Sequence, residues 1–160
     1  ALIADVKQPI LLVVPEGRLE EVITRLSRVG FDNTIGYLEG GIEAWKAAGK
    51  EVDQLASISA AQFATDFDQH PTFDVRKEGE FSAAHVESAD STPLGSLNNH
   101  LGEFPRLGDF FIHCAGGYRS VIAASLLKAR GIHNMINVEG GMDAIKETKL
   151  AVVDKSCSNA

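Results

Sequence analysis

The chain has 160 residues, of which 44% are hydrophobic and 23% charged, the balance of a soluble globular protein rather than a disordered or fibrous one. Fifteen Lys plus Arg face 22 Asp plus Glu, a formal net charge of −7. Neither nucleic acid nor an anionic membrane is therefore an expected partner, because both demand a basic face. The longest apolar run, Ile10 to Val14, is far below bilayer length, and the first residues lack a basic-then-apolar signal pattern. Two cysteines exclude a disulfide scaffold, so a reducing cytoplasm is the expected compartment.

In chain order, the apolar run from Pro9 to Val14 reads as the first strand of a strand–helix–strand piece, and a helix ends at Gly49. Tyr37-Leu-Glu-Gly-Gly-Ile-Glu-Ala-Trp45 then returns as Asn137-Val-Glu-Gly-Gly-Met-Asp-Ala-Ile145, and Leu26 to Asn33 returns as Leu127 to Asn134. The offset is about one hundred residues, a domain-sized period. The chain thus holds parts of two related modules. A lone strand–helix–strand piece cannot bury both faces of a parallel sheet. Residues 1–52 are accordingly expected to be a partial module whose front half lies upstream, joined to the second by Ala47 to Asp53. Such a fragment exposes apolar surface, so pairing with an upstream domain or with a second copy is expected.

The second module is read as residues 56–150, followed by a polar tail at 151–160. Ser59 is placed as the N-cap of a helix over Ala60–Phe67. Short strands are expected at Pro71–Val75 and Ala89–Thr92, with a brief helix at Glu78–Ala84 between them. Gly95–Phe104 is read as helical, ending before Pro105. Phe110 to His113 is a continuous apolar run of β-formers, expected as a strand buried on both faces. A helix over Val121–Arg130, a strand over Met135–Val138 and a helix over Gly141–Lys149 complete the module. Strands alternating with helices predict an α/β fold, a parallel sheet with helices on both faces.

The chemistry concentrates in His113-Cys-Ala-Gly-Gly-Tyr-Arg-Ser120, at the carboxyl end of the buried strand, where α/β sheets place their ligands. Gly116 and Gly117 permit a tight curl in which consecutive N–H groups converge, and the following helix adds its positive end. With Arg119 nearby, Cys114 is expected to favour the thiolate and act as a nucleophile. The plainer alternative, a small buried hydrophobe at a strand end, leaves the glycines and Arg119 without a purpose.

Cys114-Ala-Gly-Gly-Tyr-Arg119-Ser120 resembles the active-site loop of the rhodanese (sulfurtransferase) family, commonly C-x-x-G-x-R-S. Asp74-Val-Arg76, Glu80-Phe-Ser-Ala-Ala-His85-Val86, Thr92-Pro-Leu94 and Glu139-Gly-Gly141 are similar to the family's flanking motifs, in the same order. The resemblance implies that Cys114 takes a sulfane sulfur from thiosulfate or a low-molecular-weight persulfide. The resulting Cys114 persulfide would rest among the amides of Ala115, Gly116, Gly117, Tyr118 and Ser120, and pass its sulfur to a thiol or cyanide. Arg119 orients the donor or locks the loop, and Tyr118 and Ser120 hydrogen-bond the donor or the loop unless Ser120 caps its helix; these roles stay open. No cofactor or metal is implied. Four residues separate Cys114 from Arg119, whereas related phosphatases and arsenate reductases carry five, so a single sulfur suits this loop better than a phosphate. Ala115 replaces a residue that is basic in some thiosulfate-using relatives, and Ala84 a common Gly.

Asp74, Arg76 and His85 are read as structural support, Glu80 likewise. His113 points away from Cys114 by strand alternation. Cys157 is either a resolving thiol or a bystander. The first module has no Cys, and Pro15 and Glu16 stand where the second has its loop, so it is expected to be catalytically inactive. An inactive module before an active one also resembles the C-terminal part of fusions led by a metallo-β-lactamase-fold persulfide dioxygenase.

Overall fold

The computed structural model describes residues 5–154, which divide into two compact units between Asp53 and Gln54. The first contains β1 (Ile10–Leu12), α1 (Leu19–Ser27), β2 (Thr34–Tyr37) and α2 (Gly41–Ala47). β1 and β2 pair in parallel, with Leu12 opposite Tyr37. Ile10 and Leu12 are buried, but neither helix contains a buried residue.

The second unit runs β3 (Ser57–Ile58), α3 (Ala60–Asp66), β4 (Thr72–Asp74), α4 (Glu78–Ala83), β5 (His85–Val86) and β6 (Asp90–Ser91), then a 3-10 helix at Leu94–Asn99. It ends with β7 (Phe110–His113), α5 (Tyr118–Lys128), β8 (Met135–Val138), α6 (Gly141–Ile145) and β9 (Val152–Val153). Five strands form one parallel sheet in the order β3-β8-β7-β4-β6, the expected α/β class.

β7 is central and wholly buried, and its alternating side chains feed two cores. Phe110 and Ile112 enter one with Phe73, Leu97, Phe104, Ala123, Ala124 and Leu127, covered by α5 and the 3-10 helix. Phe111 enters the other with Ala60, Phe63, Met142 and Ile145, covered by α3 and α6. Edge-to-face packing of Phe63 on Phe111, with ring centroids 5.1 Å apart, fixes α3 to the sheet. Ser59 caps α3, its Oγ accepting from the Gln62 N–H at 3.2 Å.

The structure departs from the sequence reading at several elements, among them the unplaced short strands β3 and β5. Residues 95–104 do not form a continuous helix. They give the 3-10 helix, broken by non-helical φ/ψ at Ser96, and both Leu97 and Phe104 reach the core. The last helix stops at Ile145 rather than Lys149, where the Thr148 hydroxyl donates to the Ile145 carbonyl at 2.6 Å. α5 begins at Tyr118, three residues early. The segment read as a polar tail opens with β9, which pairs antiparallel with β5 through His85–Val153 and Val86–Val152. Cys157 lies outside the described residues.

Candidate active site

Cys114 follows β7 directly and is 1% exposed. The Gly117 N–H donates to its Sγ at 3.2 Å. Gly117 has φ +94°, a left-handed conformation suited to glycine, which turns the chain so that α5 can start at once.

Beneath the loop, the first amides of α6 hold its carbonyls. The Met142 N–H donates to Cys114 O at 2.7 Å and the Asp143 N–H to Ala115 O at 3.0 Å. A trans peptide directs its N–H opposite to its C=O, so tying these two carbonyls to α6 aims the N–H groups of Ala115 and Gly116 away from α6. The contact requires Gly141: its φ is +53°, and a Cβ there would stand 2.5 Å from Ala115 O and closer still to Cys114 O. The Glu-Gly-Gly motif is thus a platform for the cysteine loop.

Arg119 lies one residue into α5, and its guanidinium forms two hydrogen bonds to Glu80 of α4, at 2.7 and 2.8 Å. Arg119 holds the Glu80 carboxyl down at about 2, against a desolvation that works the other way. Glu80 in turn raises the Arg119 pKa. The Arg119 guanidinium is thus engaged with Glu80 at the start of α5.

Asp74 and Arg76 form a buried bidentate pair, with Arg76 Nε 2.9 Å and Nη2 2.6 Å from Asp74 Oδ2. Arg76 Nη2 also donates to Ala84 O at 2.5 Å, tying the end of α4 to the end of β4. His85 is buried, stacked on Phe81 at 4.0 Å, with Nδ1 2.9 Å from Phe81 O. His113 points to the opposite core, its ring 6.3 Å from Phe63, and its Nδ1 lies 3.3 Å from Cys114 O. Burial pushes its pKa down, which keeps the ring neutral.

Tyr118 is 80% exposed. Ser120 is buried, and its hydroxyl donates to Gly117 O at 3.1 Å. Ser120 therefore does not cap α5: Gly117 is the N-cap, and Ser120 sits inside the first turn. Among the described residues no group of three or more His, Cys, Asp or Glu is placed to hold a metal ion. No helix among them is long and apolar enough to cross a membrane.

A parallel α/β sheet with a cysteine loop at the end of its central strand defines the class of this protein. The rhodanese-like domain model matches residues 59–148, and the chain belongs to that family. It is 26% identical over 102 residues to a sulfurtransferase of Allochromatium vinosum, covering 64% of this chain and 95% of that one. Over 69 residues it is 35% identical to a Bacillus subtilis protein bearing a sulfur-carrier name, YrkF, covering 43% of this chain and 37% of that one. The chain thus spans well under half of the Bacillus protein. Among solved structures, a rhodanese-related protein from Thermoplasma volcanium superposes with a TM-score of 0.57 at 28% identity, over 61% of this chain and 97% of that one. These likenesses support sulfur transfer in general.

Proposed function

We propose that the second unit is a sulfurtransferase domain working through a Cys114 persulfide. The Cys114 thiolate attacks the outer sulfur of a donor such as thiosulfate or a low-molecular-weight persulfide. A Cys114–sulfur bond forms, the donor's S–S bond breaks, and sulfite or the donor thiolate leaves with the electron pair. An acceptor thiol then takes the outer sulfur and keeps its own proton as a new persulfide, regenerating the Cys114 thiolate; cyanide leaves with the sulfur as thiocyanate. The Gly117 N–H already meets Sγ, and the Ala115 and Gly116 N–H groups face away from α6. An added anionic sulfur would find backbone donors arranged in advance. Arg119 and Glu80 hold the loop's far end. The observation that supports this most is the 3.2 Å approach of the Gly117 amide to Sγ.

Intact mass after incubation with thiosulfate or glutathione persulfide is expected to rise by about 32 Da, with no gain in Cys114→Ser. Onward transfer to a thiol or cyanide separates a turning-over enzyme from a carrier or regulatory module of a larger sulfur-oxidising enzyme. Hydrolysis of p-nitrophenyl phosphate by Cys114 would overturn the assignment. A reducing compartment, the cytoplasm, suits a domain that works through a free thiol.

We further propose that the first unit is an inactive relative of the second. In β1 and α2, Leu11, Ile42 and Trp45 occupy the repeat positions of Phe111, Met142 and Ile145. The latter three are buried under α3, whereas Leu11 is 72% and Trp45 40% exposed. The first unit has no counterpart of α3 among the described residues, so an upstream domain of the same polypeptide or a second copy is its proposed cover.

A further inference from the structure

The rim of the cysteine loop carries an unusual charge arrangement. Arg119, the cation nearest in sequence to Cys114, has its guanidinium committed to Glu80 through both hydrogen bonds. A second carboxylate, Asp143, stands beside Gly116 of the loop. A Cβ built on Gly116 would lie 3.6 Å from Asp143 Oδ2, and both residues are exposed. The Asp143 position is fixed rather than casual, because its own N–H donates to Ala115 O at 3.0 Å. No ion-pair partner of Asp143 is found among the described residues. The loop amides therefore offer hydrogen bonds to a bound sulfur, while the rim presents negative charge to anything that arrives.

We propose that Asp143 is a specificity-determining residue that discriminates against dianionic sulfur donors and favours persulfides whose atoms near the sulfur are neutral or cationic. This rests on the sulfur-transfer reading above and sharpens it from two donor classes to one. Thiosulfate must bring its sulfonate within a few ångströms of the rim as its outer sulfur reaches Sγ. An alkyl persulfide, free or on a carrier protein, presents only methylene groups there. Like charges at such separations repel by an amount that salt reduces, because the pair is close but exposed.

The test is the second-order rate of Cys114 persulfide formation, followed by intact mass with two probes, thiosulfate and cysteamine persulfide. Each variant is compared with the wild type for the same donor, so intrinsic donor reactivity cancels. Asp143→Asn is expected to raise the thiosulfate rate about three- to tenfold at low salt, and 0.5 M KCl should shrink the gain below about twofold. The cysteamine persulfide rate should not rise. Glu147→Gln, an equal charge change at an exposed site beyond the end of α6, should leave the donor ratio within about twofold of wild type. An equal response of both donors to Asp143→Asn, or the same shift from Glu147→Gln, overturns the assignment to Asp143 and leaves sulfur transfer standing. If wild-type Cys114 gains sulfur from neither probe, the sulfur-transfer reading falls, and the donor preference falls with it.

Discussion

Glu80 and Arg119, 39 residues apart, meet through two hydrogen bonds of 2.7 and 2.8 Å that join α4 to the first turn of α5. The pair is half-exposed, so its worth lies more in geometry than in stability: about 1 kcal/mol is the scale for such an ion pair. Arg119→Ala is expected to slow persulfide formation at Cys114 about ten- to a hundredfold, in line with losing a preorganising contact. Arg119→Lys should not restore the rate, since an ammonium cannot form the two-pronged contact. Single-turnover mass spectrometry checks both.

The same pair sets an acid dependence. Glu80 has its pKa lowered from 4.5 to about 2 in the folded protein. A depressed carboxyl pKa contributes stability that is present above 4.5 and is lost as pH falls from there towards 2. The melting temperature of the wild type should exceed that of Glu80→Gln by a few degrees at pH 7, roughly the shift about 1 kcal/mol produces. The difference should close as pH falls through that window.

Gly141→Ala tests the platform under the loop. Strain at φ +53° and overlap with Ala115 O predict a loss of about 2–4 kcal/mol, read as the urea midpoint. Gly79→Ala, within α4 where a Cβ meets nothing within 4 Å, should be neutral or stabilise by up to about 1 kcal/mol.

Loop length is directly testable. Inserting one glycine between Gly116 and Gly117 gives the five-residue spacing of the related phosphatases and lengthens the chain between Cys114 and the Gly117 amide that meets Sγ. Persulfide formation should fall by about a hundredfold or more, the scale of losing one oxyanion donor, while thermal melting shows the sheet intact.

Much of the fold was legible because the buried strands are unambiguous. Phe110–His113 and Met135–Val138 were placed with the bounds the structure shows, since largely buried parallel strands read as short apolar-rich segments, even with Asn137 inside the second. β3, β5 and β9 were missed: two residues each leave no periodicity, and β9 exists only because β5 lies beside it. α5 began early because Gly117 takes a left-handed φ, which lets a helix start without a side-chain cap. In the site, the Cys114–Arg119 spacing is local and could be read. The support from Met142 and Asp143 joins segments far apart in the chain, and the repeated Gly-Gly pair was its single trace.

The apolar positions of the first unit predict association. Sedimentation of the chain should show self-association at high micromolar concentration unless an upstream domain is attached, and Leu11→Asp together with Trp45→Ser should abolish it. Trp45 is the single tryptophan, so a blue-shifted emission on association reports the same event. A monomer at all concentrations would count against a second copy as the cover.

Because α6 supplies the amides that turn the cysteine loop, Cys114 leaves the ribosome before the segment that orients its neighbours. A nascent chain stopped short of Gly141 carries Cys114 without the amides that tie its carbonyl and that of Ala115. Proteolytic loss of α6 would remove the same support, so the geometry of the cysteine loop depends on a segment more than twenty residues further along the chain.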